Sequence, residues 1–141
     1  MGLRYEGRSQ VGSVKVERSR NRLAGKRVLV IEDESLVTML LEDELAEIGC
    51  EVAALASRVH DAAHKAQSLS FDVAILDVNL NGEQTFSIAE ILLGRGIPFV
   101  FATGYGSASV PAQLQAIPVL QKPFEQRDLE IALCAVLSVK T

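Results

Sequence analysis

The sequence predicts an α/β domain in which helices cover both faces of a parallel β-sheet. Apolar runs of strand length alternate along the chain with segments whose apolar residues recur at helical spacing. Five such alternations fit between residues 26 and 141, and strands that alternate with helices pair in parallel through right-handed crossovers. Of the 141 residues, 48% are apolar but only 5% are aromatic, which favours one core packed from aliphatic side chains.

Five apolar runs are the predicted strands. The first, RVLVIED at residues 27–33, is apolar up to its two acids, which is typical of a strand buried on both faces. The third, FDVAILD at residues 71–77, also runs through apolar residues to an acid. The remaining predicted strands are residues 50–56, 97–103 and 117–120.

Helices are predicted where apolar residues recur every three or four positions after a strand. In the first helix, Glu42, Asp43 and Glu47 take the side opposite the apolar residues, and Gly49 ends the pattern. The positions expected to face the core are Val37, Leu40, Leu41, Leu45 and Ile48 in the first helix, Val59, Ala62, Ala63, Ala66 and Leu69 in the second, Phe86, Ala89, Leu92 and Leu93 in the third, and Leu129, Ala132, Leu133, Val136 and Leu137 in the last.

The segment GYGSASVPAQLQA at residues 104–116 has a poor helical sequence. Gly104 and Gly106 add backbone entropy, the serines compete for backbone hydrogen bonds, and Pro111 cannot donate one. Only PAQLQA predicts a helix, of about one and a half turns, and so short a helix depends on tertiary packing.

Charge is distributed unevenly between the start of the chain and the rest. Residues 1–27 carry eight Lys and Arg against two acids, whereas the remainder carries 6 basic and 16 acidic residues. We interpret residues 1–25 as a basic flexible extension or linker and residues 26–141 as the folded domain. Two interpretations of the extension remain open. It could be a solvated tail or an expression remnant, or it could be an arm that contacts nucleic acid or an acidic partner. It has no interleaved aromatic residues and no helix-turn-helix pattern, so sequence-specific DNA binding is not expected.

The cysteine content and hydropathy favour a cytoplasmic protein. Cys50 and Cys134 lie far apart in apolar patterns without a CxxC motif, which predicts buried free thiols in a reducing compartment. No stretch approaches the roughly 18 consecutive apolar residues of a membrane span, so membrane insertion is not expected. The first 27 residues also lack the apolar segment of a secretory signal.

Polar side chains stand at the carboxyl ends of four predicted strands. The first strand ends in Glu32 and Asp33, the third in Asp77, the fourth in Thr103, and the fifth just before Lys122. Acids in such positions also favour the start of a following helix, so no single one identifies a site. In an open parallel sheet, however, binding sites lie beyond the carboxyl ends of the strands, and the agreement of four strand ends predicts a shared site.

The residue types at this site favour metal-assisted phosphoryl transfer. Clustered carboxylates repel one another, and Mg²⁺ suits a site of one or two carboxylates with waters. A carboxylate beside the metal can attack a phosphoryl group and form an aspartyl phosphate. An ammonium group and a hydroxyl can bind further oxygens of the transferred group. Asp77, Lys122 and Thr103 fit these three roles.

With these residues in these positions, the sequence resembles the receiver domain of two-component response regulators, over roughly residues 26–139. The resemblance rests on the acidic pair Glu32-Asp33, on Asp77 after FDVAIL, on FATGYG and on KPF at residues 122–124. It implies a flavodoxin-like (βα)5 doubly wound fold with strand order 2-1-3-4-5. It also implies Mg²⁺-dependent phosphotransfer from a histidine kinase to Asp77, in a signalling domain that phosphorylates and dephosphorylates itself.

The resemblance also implies roles for individual residues. Asp33 and Asp77 would bind the metal through their carboxylates and Glu32 through water, with Asn79 contributing its backbone carbonyl. The Lys122-Pro123 bond is expected to be cis, with Pro123 supplying the tertiary amide. Thr103 and Lys122 would bind the phosphoryl group and act as the switch. A downstream protein partner or phosphotransferase would read a signalling face formed by Gly104, Tyr105, Gly106 and Val119.

Three departures from the common receiver pattern affect that face and the neighbouring loop. Val119 replaces the aromatic residue that usually rotates on activation, and Asn81-Gly82 replaces a Pro-Gly pair. The FATGYG hexapeptide resembles the receiver subclass named for Phe-Ala-Thr-Gly and partnered with HWE-type histidine kinases. With the aromatic switch missing, we hypothesise that phosphorylation instead orders residues 107–116 through Thr103.

Other interpretations of the sequence remain open. A metal-dependent aspartyl phosphatase would use similar chemistry, but it would carry a general acid at the position of Asn79. A degenerate receiver that acts only in docking would not be expected to keep every key side chain. The domain could be a freestanding regulator or the receiver of a hybrid kinase, in which residues 1–25 would be the linker. No DNA-binding module is expected after Thr141.

Overall fold

The computed structural model describes residues 22–104 and 110–138. Strands and helices alternate along this part of the chain, and two very short strands follow the third strand. The strands are β1 (Arg27–Ile31), β2 (Glu51–Ala56), β3 (Val73–Asp77), β4 (Asn79–Leu80), β5 (Glu83–Gln84), β6 (Phe99–Thr103) and β7 (Val119–Gln121), and the helices are α1 (Ser35–Glu47), α2 (Val59–Ser68), α3 (Phe86–Arg95) and α4 (Gln126–Ser138).

Five strands form one parallel sheet in the order β2-β1-β3-β6-β7. The short strands β4 and β5 pair only with each other, as an antiparallel hairpin. When this hairpin is set aside, the order is the 2-1-3-4-5 arrangement of flavodoxin-like folds. The predicted fold class and strand order are therefore confirmed.

The sheet separates two apolar layers because successive side chains of a strand point to opposite faces. On one face, residues such as Leu29, Leu76 and Phe101 pack with α2 and α3. On the other face, residues such as Val30 and Ile75 pack with α1 and α4. All five residues of β3 are buried, as predicted for a strand covered on both sides. No helix in the described ranges is long and apolar enough to cross a lipid bilayer.

Two positions predicted to face the core are exposed instead. Leu40 on α1 is 54% exposed, and Leu93 on α3 is 47% exposed. In α1 the buried positions are Leu41 and Leu45. Apolar residues occupy more of the helix circumference than the core can cover, so periodicity alone could not separate Leu41 from Leu40.

In the described part of the segment after β6, residues 112–114 form one turn of 3₁₀ helix directly after Pro111, where PAQLQA predicted a short helix. Val110 and Leu114 are buried in the core, so tertiary packing holds the turn. Residues 105–109, which include Tyr105 and Gly106, lie outside the described residues, and the ordering hypothesis falls partly on them.

The chain packs against the domain before residue 26, where the domain was expected to begin. Leu23 is fully buried in the layer that contains α1 and α4, and the Gly25 N–H donates to the Gly49 carbonyl at 2.8 Å. A single Leu among charged residues gives no periodic signal, which is why the sequence placed it in the extension. Nearby, Arg22 Nη1 donates to the Ser138 hydroxyl at 2.9 Å, so the two ends of the described chain meet.

Neither cysteine is in a disulfide, and both are buried, as predicted. Both belong to the layer that contains α1 and α4. Burial raises the pKa of the Cys50 thiol to about 11, and a thiol that stays protonated at neutral pH is a poor nucleophile. These cysteines therefore belong to the core.

Candidate functional site

The acidic residues come from the two central strands of the sheet. β1 and β3 are adjacent and in register, with Ile31 opposite Leu76. The residues that follow these two, Glu32 and Asp77, therefore reach the same edge. Ligand oxygens of Glu32, Asp33 and Asp77 all lie within 4.8 Å of one another, so the structure brings together the three acids that the sequence assigned to one site.

Lys122 lies among these acids. Its Nζ is 2.9 Å from Asp77 Oδ2 and 2.8 Å from Glu32 Oε1, and the exposed Glu34 carboxylate is 3.5 Å away. The backbone N–H of Lys122 donates to the Thr103 carbonyl at 2.8 Å, which fixes the lysine to the end of β6. One ammonium group thus contacts three carboxylates, and Asp33 adds a fourth to the site, so the negative charge exceeds what Lys122 can offset.

Burial makes the negative charge of this site costly. The Glu32 side chain is only 1% exposed, and burial raises its pKa from 4.5 to about 7, against the opposing effects of Lys122 and of the Glu34 N–H. Burial alone would lower the pKa of Lys122, but its contacts with Glu32 and Asp77 raise it above its usual value. Desolvation destabilises the ionised carboxyl group, whereas the neighbouring carboxylates stabilise the ammonium ion.

One buried oxygen of the site has room for a further ligand. Glu32 Oε2 accepts the Glu34 N–H at 3.0 Å. Glu32 Oε1 has the ion pair with Lys122 but no directed hydrogen bond. A buried carboxylate oxygen without a directed donor is a natural ligand for a hard cation, and the set of oxygen donors around it fits Mg²⁺.

The loop after β3 closes over the acids as a two-residue hairpin. Asn81 and Gly82 both have positive φ, 51° and 87°, which is the backbone of a type I′ turn and explains an Asn-Gly pair there. The Asn81 N–H donates to Asp33 Oδ2 at 2.9 Å, and its side-chain amide donates to the Ser57 carbonyl at 3.2 Å. This hairpin was not predicted, although Asn-Gly is a strong hairpin signal.

Asn79 lies between Asp77 and this turn. Its backbone N–H donates to Asp77 Oδ1 at 3.1 Å, and its side-chain oxygen accepts the Gly82 N–H at 2.9 Å. The backbone of Asn79 is therefore held beside the Asp77 carboxylate.

The residues expected to act in the switch lie on and beside β6 and β7, which are on the opposite side of β3 from β1. Thr103 is buried at the end of β6 and pairs with Gln121 of β7. The Gln121 side chain donates to the Gly104 carbonyl at 3.1 Å, and the half-buried Val119 packs on the layer that contains α2 and α3. The Lys122–Pro123 peptide bond is cis, the geometry that the receiver resemblance implies.

Thr85 also lies at the site and was not among the predicted site residues. It is fully buried before α3, and its hydroxyl donates to the backbone carbonyl of Asp77 at 2.6 Å. A threonine directly before an apolar helix is a capping signal, and that signal was available in the sequence.

An apolar surface adjoins the acidic edge. Leu36, Met39 and Leu40 on α1 are 68%, 59% and 54% exposed. Met39 also lines a groove of about 350 Å³, together with Glu32 and Asp33. Exposed apolar side chains grouped at a polar site are typical of a surface that binds another protein.

Known proteins resemble this chain in both sequence and structure. The response regulator receiver domain family matches residues 28–133. SdrG from Sphingomonas melonis Fr1 is 41% identical with a TM-score of 0.73, over 80% of this chain and 97% of SdrG. The BeF3-activated conformation of SdrG from Pseudomonas melonis Fr1 is also 41% identical, with a TM-score of 0.70, over 81% of this chain and 98% of that one.

A curated relative is longer than this chain. The sensory transduction protein LytR of Staphylococcus haemolyticus (strain JCSC1435) is 32% identical over an alignment of 111 residues, and the match covers 76% of this chain and 43% of LytR. The chain therefore spans less than half the length of that relative.

Proposed function

The chain belongs to the response regulator receiver domain family, and from that premise we propose that it accepts a phosphoryl group on Asp77 in a Mg²⁺-dependent reaction. The observation that carries this proposal is the position of the Asp77 carboxylate. It lies within 4.8 Å of two further acids and 2.9 Å from the Lys122 ammonium group. A nucleophilic carboxylate, a cation site and a fixed positive charge are the parts that transfer to aspartate requires.

The proposed metal ligands are the carboxylates of Asp33 and Asp77, the Asn79 backbone carbonyl and, through water, Glu32. These are hard oxygen donors, and the limited number of carboxylates leaves room for the waters that Mg²⁺ keeps. When bound, Mg²⁺ would neutralise charge on the oxygens of the transferred group.

The remaining residues would bind the phosphoryl group. A carboxylate oxygen of Asp77 attacks the phosphorus of a phosphohistidine. The bond between phosphorus and the histidine nitrogen breaks, and its electron pair stays on that nitrogen. Lys122 pairs with one phosphoryl oxygen, and the Thr103 hydroxyl donates to another. Asp77 and Thr103 are buried at the ends of the adjacent strands β3 and β6, so these two groups need little rearrangement before the transfer.

The proposed donor is a phosphohistidine of a histidine kinase. Support for docking comes from Leu36, Met39 and Leu40, which offer an apolar contact surface beside the acidic edge. The FATGYG hexapeptide at residues 101–106 supports a kinase of the HWE type. We propose that the phosphorylated domain then presents a face that includes Gly104 and Val119 to a downstream protein, whether the domain is freestanding or part of a hybrid kinase.

The test is labelling by radioactive acetyl phosphate with Mg²⁺. Asp77→Asn should abolish the label, because an amide is not a nucleophile for this reaction. Asp72→Asn is the matched control, since Asp72 begins the same apolar run at the opposite end and should label as the wild type does. EDTA should remove labelling from both the wild type and the control. Label retained in Asp77→Asn would disprove the proposal.

A further inference from the structure

Thr85 connects the end of β3 to the beginning of α3 through four hydrogen bonds. Its hydroxyl donates to the Asp77 carbonyl at 2.6 Å, and its backbone N–H donates to the Val78 carbonyl at 3.0 Å. Its own carbonyl accepts the N–H groups of Ile88 and Ala89 at 3.0 and 3.2 Å. Thr85 is fully buried, so all of these bonds are shielded from water.

The hydroxyl of Thr85 does not cap its own helix. A threonine at this position normally accepts an N–H from the first helical turn, a contact worth about 1 kcal/mol. Here no side-chain cap is formed, and the hydroxyl donates its proton backwards to Asp77. The local helix therefore does not explain the position of this side chain.

The Asp77 carbonyl needs a donor because the sheet does not provide one. The Val78 N–H donates to Ala102 of β6, so the carbonyl of the same trans peptide points the other way, towards β1. There the pairing has already ended, at Ile31 and Leu76. A buried carbonyl without a donor is destabilising, and the Thr85 hydroxyl takes the place of the missing strand.

This bond fixes the orientation of Asp77. The peptide plane after Asp77 is held at its N–H by β6 and at its carbonyl by Thr85. This restrains the backbone from which the Asp77 side chain projects, while the Asn79 N–H and Lys122 hold its carboxylate oxygens. On a less restrained backbone the carboxylate would reach this geometry only part of the time.

We propose that Thr85 is a positioning residue for Asp77, holding its carboxylate in the place where it meets Lys122 and the cation site. The inference rests on the proposed function of Asp77 as phosphoacceptor. It concerns the hydroxyl only, because the backbone bond to Val78 survives any substitution other than proline and keeps the loop closed.

The experiment compares Thr85→Val with Thr85→Ser. Valine removes the hydroxyl and keeps the shape, and serine keeps the hydroxyl and loses a methyl group. We expect Thr85→Val to be labelled by acetyl phosphate roughly tenfold more slowly at saturating Mg²⁺ and to bind Mg²⁺ about threefold more weakly. Thr85→Ser should stay within about twofold of the wild type in both measurements. Ser68→Ala, which removes a hydroxyl bonded to the His64 carbonyl at 2.7 Å on α2, should change neither.

All variants are measured at a temperature at which urea titration shows them folded. If Thr85→Val does not fold, Thr85→Ala replaces it, since alanine removes the hydroxyl without adding bulk. The proposal would be overturned if the variant without a hydroxyl labels and binds Mg²⁺ as the wild type does. It would also be overturned if Thr85→Ser loses as much as that variant in both measurements. Mg²⁺ affinity is measured without acetyl phosphate. Failure of the wild type to label would thus count against the proposed function, while the Mg²⁺ comparison still decides the role of Thr85.

Discussion

The two ends of the parallel sheet differ in how their charged residues are paired. At the amino end, Arg27 and Asp72 have bonds within the protein: Asp72 Oδ2 accepts the Arg27 N–H at 2.7 Å. The Arg27 guanidinium donates to the Ser70 carbonyl at 2.7 Å and to Glu51 at 3.1 Å. At the carboxyl end, Lys122 is shared among Glu32, Asp77 and the more distant Glu34.

Arg95, near the amino end of the sheet, also has its partners within the protein. Its Nη1 donates to the Ala66 and Leu69 carbonyls at 2.6 and 2.9 Å, at the end of α2 where carbonyls lack helical partners. The guanidinium carbon lies 5.6 Å from the centroid of the Phe71 ring, a cation–π distance. The positive charge also suits the negative end of the α2 dipole.

The difference between the two ends separates structural from functional charge. Where each charged group finds partners in its own chain, its removal should cost stability and leave no binding site. Where acids outnumber the available cations in a buried place, the protein carries a repulsion that an external cation or phosphoryl group relieves. Three measurements test this distinction.

Lys122→Met should lower the stability of the metal-free protein more than any other substitution considered below. Glu32 and Asp77 would lose their only close ammonium group within the described chain. Breaking a buried ion pair on one side costs about 3–5 kcal/mol, and we expect a loss of about 2–3 kcal/mol in the free energy of unfolding at pH 8 because Lys122 remains partly exposed. Urea titration in EDTA measures it.

Lys65→Met is the control for that loss. Lys65 pairs with Asp61 at 2.8 Å on α2, at a more exposed site, and such pairs contribute about 0.5 kcal/mol. Equal losses in the two variants would show that the carboxyl end of the sheet holds no special imbalance.

The second effect is a dependence of stability on pH, of about 2 kcal/mol. The pKa of Glu32 is raised to about 7 in the folded protein, so the folded state holds this proton more tightly than the unfolded state does. Its contribution to stability is complete below pH 4.5 and is lost as the pH rises through 7. Unfolding free energies of metal-free protein should therefore fall between pH 5 and 8, and Glu32→Gln should flatten that slope. An unchanged slope in Glu32→Gln would assign it to another group.

The smallest effect compares the same substitution at the two ends. Asp33→Asn should stabilise the metal-free protein by about 1 kcal/mol, because it removes a like charge from the acidic site and keeps an acceptor for the Asn81 N–H. Asp72→Asn should destabilise it by about 1 kcal/mol, since a charge-assisted bond to the Arg27 N–H becomes neutral. Thermal unfolding in EDTA distinguishes them, and Mg²⁺ should raise the melting temperature of Asp72→Asn but not of Asp33→Asn. Effects of the same sign would remove the contrast between the two ends.

The sequence was sufficient to predict the strand order and the gathering of acids because those depend on period and position. FDVAILD has to be a buried strand, and a parallel sheet brings the ends of its strands to one edge. The assembly of Glu32, Asp33 and Asp77 follows from that rule without any knowledge of side-chain contacts.

What could not be predicted depends on contacts between distant parts of the chain. Leu40 and Leu41 are equally apolar, and only the neighbouring elements decide which is buried. Leu23 is buried because it fills a space near Cys50, which no local pattern reveals. The hydroxyl of Thr85 could have capped its own helix. It donates to the Asp77 carbonyl instead, because the pairing between β1 and β3 ends before that carbonyl.

The contact between Arg22 and Ser138 has a consequence for how such a domain can be used. The two ends of the described chain meet at 2.9 Å, on the side of the sheet away from the acids. Domains with adjacent ends tolerate circular permutation and insertion into a loop of another protein. A host protein could therefore receive residues 22–138 as an insert while the acidic edge and the exposed apolar side chains of α1 stay accessible to a phosphodonor.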